Sequence, residues 1–205
     1  MKLSDLNATI AAFLLALPAS LSASEARAAK SIETAVLGGG CFWGTEAVFE
    51  HVKGVRDVVS GFAGGTRGGF GRPVSERTGF AEAVRITFDA SQVSYGELLQ
   101  IFMTVAHDPT QVDRQGPDVG PRYRSAIFPQ TPQQKQIARS YLEELRKSAR
   151  FSKPIATRLE SGGFDIAENA HQDYVRKHPA ARYVVVNDLP KLSKLKHDYP
   201  QLWRG

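Results

Sequence analysis

Residues 32–44 read IETAVLGGGCFWG and contain the change from a strand to a helix. The apolar residues 32–37 predict a β-strand, and residues 42–51 predict a helix that ends before Gly54. The three glycines between the two elements allow a tight turn. This turn places Cys41 at the N-terminus of the helix, where unpaired N–H groups and the helix dipole favour a thiolate.

Comparable elements follow along the chain. Further strands are predicted at 55–62, 81–89, 123–128 and 155–160, and further helices at 94–107, 131–147 and 168–177. A polar loop is expected at 108–122. An apolar segment at 183–186 precedes a basic tail at 187–205. Ser94 and Glu97 have the spacing of a capping box, and Thr131 before Pro132 is a typical helix start.

The order of these elements predicts the fold class. Strand–helix–strand followed by strand–helix–strand is typical of the split βαβ, or ferredoxin-like, arrangement, in which helices pack on one face of a sheet. We therefore expect an α+β fold, a two-layer sandwich with helices packed on a mixed sheet.

Residues 1–28 have the features of a secretory signal peptide. Lys2 lies in a short polar start, residues 8–17 are apolar but too few to span a bilayer, and residues 26–28 (ARA) fit the cleavage pattern. An uncleaved amphipathic anchor would need a basic face, which this segment lacks. We expect export to the periplasm or the exterior and a single catalytic domain at 29–205.

The charge of the chain does not indicate nucleic-acid binding. The formal net charge is +5, and the basic residues are spread along the sequence apart from a modest cluster at Lys191, Lys194, Lys196 and Arg204. Because no stripe of basic and aromatic residues is present, no nucleic-acid partner is expected.

Cys41 is the only cysteine among 205 residues, which excludes an internal disulfide and a multi-cysteine metal site. A free cysteine is often a buried structural residue. Here the flanking glycines leave room for a substrate, and Phe42 and Trp43 supply an apolar wall, so we interpret Cys41 as a nucleophile. His171 and His178 could share a helix face, but no third ligand has suitable spacing and no metal is expected.

Glu82 is the carboxyl group expected to work with this thiol. It lies in residues 78–83 (TGFAEA) at the start of a strand, where desolvation would raise its pKa toward that of a general acid. The alternative is a solvated carboxylate on an edge strand. The segment 107–125 adds a carboxylate, a phenol and several hydrogen-bond donors, which suit thiol attack on a polar substrate.

Six short motifs follow one another in the chain: GCFWG at 40–44, TGFAEA at 78–83, HDPT at 107–110, QGPDVG at 115–120, YRS at 123–125 and HQDY at 171–174. Together they resemble the A-type peptide methionine sulfoxide reductases. The resemblance implies that Cys41 attacks the sulfur of an oxidised methionine while protonated Glu82 donates to the sulfoxide oxygen. Methionine leaves, Cys41 becomes a sulfenic acid, and the S-epimer is preferred, as in the family.

The resemblance also assigns four residues to the substrate pocket. Phe42 and Trp43 would hold the S-methyl group, and Asp118 and Tyr123 would form the polar side. The expected substrates are oxidised proteins, peptides and free methionine sulfoxide.

The chain departs from the family pattern near this pocket. Many members carry a tyrosine in the glycine-rich loop after the second strand, whereas this loop has none and Phe70 is its nearest aromatic residue. Phe80 stands where histidine is usual, which should make the surroundings of Glu82 more apolar.

The tail at 187–205 contains no resolving cysteine. The sulfenic acid must then be reduced by an external thiol, and a thioredoxin-like protein is the expected donor in an exported compartment. No bound cofactor is expected, and we expect a monomer.

The residues leave other functions open. A one-cysteine peroxidase would use the same thiol, and an acyl transferase would add a histidine held by a third group. A secreted module could also use the Phe42–Trp43 patch to bind methionine-rich peptides without chemistry.

Overall fold

The structure is a computed structural model that describes residues 31–65 and 79–205. The predicted signal peptide at 1–28 and the loop position Phe70 lie outside the described residues. No helix within the described part of the chain is both long and apolar enough to cross a membrane.

A six-stranded mixed sheet forms one layer. Its strands are β1 (Ile32–Gly39), β2 (Val55–Gly64), β3 (Phe80–Asp89), β6 (Ser125–Phe128), β7 (Arg158–Leu159) and β8 (Phe164–Ile166), and β4 (Arg114–Gln115) pairs with β5 (Asp118–Val119) in a separate hairpin. The order in the sheet is β7-β6-β1-β3-β2-β8. All neighbours are antiparallel except β6 and β7.

The helices are α1 (Phe42–Glu50), α2 (Tyr95–Ile101), α3 (Pro132–Lys147), α4 (Tyr174–Lys177) and α5 (Leu189–Asp198). The capping box of Ser94 and Glu97 is present, and the Thr131 hydroxyl accepts the Gln134 N–H, so both predicted helix starts are confirmed. The units β1-α1-β2 and β3-α2-β6 form the predicted split βαβ arrangement, and the α+β class is confirmed.

Both sheet faces are covered, but by different residues. The main core lies between the sheet and the helices and includes Leu37, Val84 and Ile86 with Phe49 and Leu98, all fully buried. The opposite face carries a smaller cluster of alanines with Val36, Phe128 and Phe164. The main core lies on the helical side of the sheet, and Cys41 and Phe42 belong to that core.

Several predicted elements differ from the observed ones. The strand expected at 155–160 is reduced to β7, the strand expected from 123 begins at Ser125, and the helix expected at 168–177 is divided because Asp173 has a left-handed backbone with φ 54°. The last turn of the second predicted helix and the apolar segment at 183–186 are π-helical, at Phe102–Ala106 and Val184–Asp188.

The segment expected as a basic tail is packed onto the domain. Its central part is α5, in which Leu195 is fully buried, and Leu202 belongs to the main core. Arg204 donates hydrogen bonds to the carbonyl groups of Glu50 and Val55, so the chain end covers the C-terminus of α1.

Candidate active site

The turn between β1 and α1 is tight because its glycines have no room for side chains. A Cβ atom at Gly39 would lie 2.8 Å from the Phe102 ring and 2.9 Å from the His107 ring, and one at Gly40 (φ 93°) would overlap Gln115. Cys41 follows as the N-cap of α1, and its side chain makes no capping hydrogen bond. The residue is 8% exposed, so its thiol is held below the surface.

A cavity of about 340 Å³ surrounds this thiol. Its lining includes all six residues that the sequence assigned to the site, namely Cys41, Phe42, Trp43, Glu82, Asp118 and Tyr123. Two further lining residues, His171 and Tyr183, were not assigned a role from the sequence.

Glu82 lies on β3, which is a central strand with β1 and β2 on either side. The alternative of an edge-strand carboxylate is therefore wrong. Its side chain shares the face of β3 with Phe80 and Val84, which belong to the main core, and it accepts the Phe42 N–H at 3.3 Å. Burial raises the pKa of Glu82 to about 7, although the Phe42 N–H acts in the opposite direction.

The ionisation of Cys41 differs from the expectation for a helix N-terminus. Burial raises the pKa of the Cys41 thiol, and the negative charge of Glu82 raises it further. The backbone N–H of Trp43 and the Tyr183 hydroxyl lower the pKa of the thiol, but by less than burial and Glu82 raise it. The dipole of a helix contributes about 0.3–1 kcal/mol, which is less than the cost of burying an unpaired charge.

Aromatic rings build one wall of the cavity. Phe42 packs edge-on against Phe62 at a centroid distance of 5.5 Å. Trp43 stacks on Tyr174 at 3.6 Å with an interplanar angle of 8°, and its indole N–H donates to Nδ1 of His171 at 3.3 Å. This hydrogen bond requires the His171 tautomer with an unprotonated Nδ1.

Polar groups line another part of the cavity. Asp118 projects from β5, and the Tyr183 hydroxyl donates a short hydrogen bond to its Oδ2 atom. Tyr123 lies on a 3₁₀ turn, and burial followed by the charge of Glu82 raises the pKa of its phenol. The site thus has an apolar side, a polar side and a carboxyl group with a pKa near neutrality around one thiol.

The histidines do not form a metal site. His178 packs against Tyr174 at 4.4 Å, whereas His171 faces Trp43. Within residues 31–65 and 79–205, no three His, Cys, Asp or Glu side chains are grouped as metal ligands.

The sequence of this chain is similar to those of known proteins. The family model described as "Peptide methionine sulfoxide reductase" matches residues 33–202. A peptide methionine sulfoxide reductase MsrA 2 of Synechocystis sp. is 51% identical over 174 residues, covering 83% of this chain and 81% of that protein. A protein of the same name from Mesorhizobium japonicum is 49% identical over 180 residues, covering 86% of this chain and 92% of that protein.

Solved structures give the same result. Mxr1 of Saccharomyces cerevisiae in its reduced form has a TM-score of 0.65 and 29% identity, covering 74% of this chain and 88% of that chain. Methionine sulfoxide reductase A of Corynebacterium diphtheriae has a TM-score of 0.60 and 38% identity, covering 73% and 76%.

The fold and these comparisons together define an oxidoreductase. The chain belongs to the peptide methionine sulfoxide reductase family. Its activity is the reduction of methionine sulfoxide to methionine, which repairs oxidised proteins.

Proposed function

We propose that Cys41 is the nucleophile and Glu82 the general acid in the reduction of methionine S-sulfoxide. The main support for this proposal is that Cys41 and Glu82 line the same cavity and that the pKa of Glu82 is raised to about 7.

The first step transfers oxygen from substrate to enzyme. The Cys41 sulfur forms a bond to the sulfoxide sulfur while Glu82 donates a proton to the sulfoxide oxygen. The oxygen then bonds to the Cys41 sulfur while the sulfur–oxygen bond of the substrate and the new sulfur–sulfur bond break, so methionine leaves and Cys41 becomes a sulfenic acid. The thiol proton replaces the proton given by Glu82, so the products are methionine and the sulfenic acid.

The two walls orient the substrate. Phe42 and Trp43 contact the S-methyl group, since both line the cavity beside Cys41. Asp118, Tyr123 and Tyr183 lie on the polar side, where the Tyr123 hydroxyl can donate to the sulfoxide oxygen while the Tyr183 hydroxyl donates to Asp118. Tyr183 supplies a second phenol in a chain whose glycine-rich loop lacks a tyrosine.

The second step returns Cys41 to the thiol. Two thiol groups of a thioredoxin-like protein supply two electrons, the sulfenic oxygen leaves as water, and the partner becomes a disulfide.

We also propose that the chain is exported after cleavage near Ala29 and acts as a monomer. N-terminal sequencing of protein recovered from the periplasm, followed by light scattering, tests both points.

Single-turnover reactions test the chemistry. Without reductant, the S-epimer should give one equivalent of methionine per enzyme, and the protein mass should rise by one oxygen at Cys41, trappable by dimedone. The R-epimer should give none. A second equivalent of methionine without added thiol would contradict the external resolving step.

A further inference from the structure

Glu46 is a buried carboxyl group that the proposed mechanism does not use. It lies on α1 one turn after Trp43 and is 1% exposed. Burial raises the pKa of Glu46 to about 8, so the group is mainly neutral at pH 7. A carboxyl group in such a place needs hydrogen-bond partners to offset its desolvation.

Its partners come from two distant segments. The Ser60 N–H of β2 donates to Oε1 at 3.3 Å, and the Asp173 N–H donates to Oε2 at 3.0 Å. Asp173 has φ 54°, which is unfavourable for a residue other than glycine. The hydrogen bond that the Asp173 N–H donates to Glu46 therefore fixes the backbone directly before α4.

Gln172 also joins this segment to Ser60. Its Oε1 atom accepts the Ser60 N–H at 2.9 Å, and its Nε2 atom donates to the carbonyl groups of Ser60 and Ala167, both at 2.9 Å. The Ser60 N–H thus has a second acceptor, whereas the Asp173 N–H donates to Glu46. The hydrogen bond of the Asp173 N–H is therefore the contact that would be lost without Glu46.

The segment held in this way carries two of the three rings that contact Trp43; the third, Tyr183, packs edge-on against the indole from another element. His171 accepts the indole N–H, and Tyr174 stacks on the indole face. A shift of Asp173 would move both rings, because one lies two residues before it and the other directly after it.

We propose that Glu46 is a positioning residue that fixes the orientation of Trp43 through Asp173, and thereby sets the affinity of the pocket for the S-methyl group of the substrate. This inference rests on the proposed role of Trp43 in substrate binding. It assigns no contact between Glu46 and the reacting atoms.

Three variants in a Trp203→Phe background test the proposal, so that Trp43 is the only remaining tryptophan. Glu46→Gln keeps an oxygen that can accept the Asp173 N–H, and should retain the KM and the emission of Trp43. Glu46→Ala removes the acceptor; we expect KM to rise about tenfold, kcat to change less than about threefold, and Trp43 emission to move to longer wavelength. Glu46→Met removes the acceptor but fills the volume, and should behave like Glu46→Ala even if the alanine variant is too unstable to study.

Glu97→Ala is the matched control, because it removes a glutamate of the exposed capping box. It should lower the melting temperature without changing KM or emission. The inference is overturned if Glu46→Met keeps the original KM and emission, or if Glu46→Gln loses them to the same extent. An unchanged KM in Trp43→Ala would instead refute the proposed role of Trp43, while the emission of the Glu46 variants still reports whether Trp43 is held.

Discussion

Cys41 and Glu82 have opposite requirements for charge in one small cavity. Attack on the sulfoxide needs electron density on sulfur, whereas donation to the oxygen needs a protonated carboxyl group. Burial raises the pKa of both groups, so it favours the thiol form of Cys41 and the acid form of Glu82. We infer that thiolate develops during the attack, as the proton from Glu82 reaches the substrate oxygen.

Cys41→Ser should abolish methionine formation and leave the melting temperature nearly unchanged. Serine has almost the same shape but is a far weaker nucleophile at neutral pH. Methionine release, followed by chromatography, and thermal unfolding check the two parts. Turnover by the serine variant above the uncatalysed rate would contradict the role of Cys41.

The rate of the reduction step should fall as pH rises above about 7, because Glu82 then loses the proton that it donates. Glu82→Gln should keep part of the activity and lose this pH dependence, since an amide still donates a hydrogen bond. Glu82→Ala should lose about a hundredfold or more. Stopped-flow single turnovers between pH 6 and 9 measure this, and equal rates for the two variants would argue against an acid role.

At the level of elements, the chain end stabilises the helix that carries the thiol. Backbone pairing joins Lys53 to Leu202 and Arg204 to His51, at 2.7 and 2.8 Å. The Arg204 guanidinium also donates to the carbonyl group of Glu50, which is the last residue of α1 and has no partner within the helix, and to that of Val55 at the start of β2. The last residues of the chain therefore fix the end of α1 opposite to Cys41.

Arg204→Ala should destabilise the fold by about 1–2 kcal/mol, because it leaves carbonyl groups of Glu50 and Val55 without this donor. For a domain of this size, that corresponds to a fall of a few degrees in melting temperature. Activity at low temperature should be unchanged. Lys135→Ala, at an exposed position of α3, is the control; equal melting temperatures for the two variants would mean that the chain end contributes nothing.

Sequence reasoning could predict elements whose signal is local. The alternation in β3 indicates that Glu82 shares a face with Val84 and Ile86, and the glycines before Cys41 indicate a tight turn. Tyr183 and Glu46 carry no such signal, because their partners lie 65 and 127 residues away in the chain. The amphipathic character of α5 was hidden by its lysines, and only the packing of Leu195 reveals it.

At the level of the whole molecule, buried ionisable groups determine how stability varies with pH. The pKa of Glu46 is raised to about 8 and that of Glu82 to about 7, so the folded state keeps protons that the unfolded state releases near pH 4.5. Stability from these two groups is lost as pH rises. His107 acts in the other direction below pH 6.5, since burial lowers its pKa to about 4.

The melting temperature should therefore fall between pH 6.5 and pH 8, where His107 is neutral in both states and no longer offsets the carboxyl groups. Glu46→Gln should reduce this fall, because it removes the group with the higher pKa. Differential scanning calorimetry at several pH values measures it, with exposed Glu97→Gln as the control. A slope in Glu46→Gln equal to that of the unchanged chain would contradict the raised pKa.

The 8% exposure of Cys41 also has a kinetic consequence. With no second cysteine to carry the oxidation outward, substrate and reductant must visit the same recessed sulfur in turn. Such an enzyme follows ping-pong kinetics, with parallel lines in double-reciprocal plots. The sulfoxide can also bind the sulfenic acid form of the enzyme, and the reductant can bind the thiol form. An excess of either compound should therefore inhibit turnover, competitively with respect to the other.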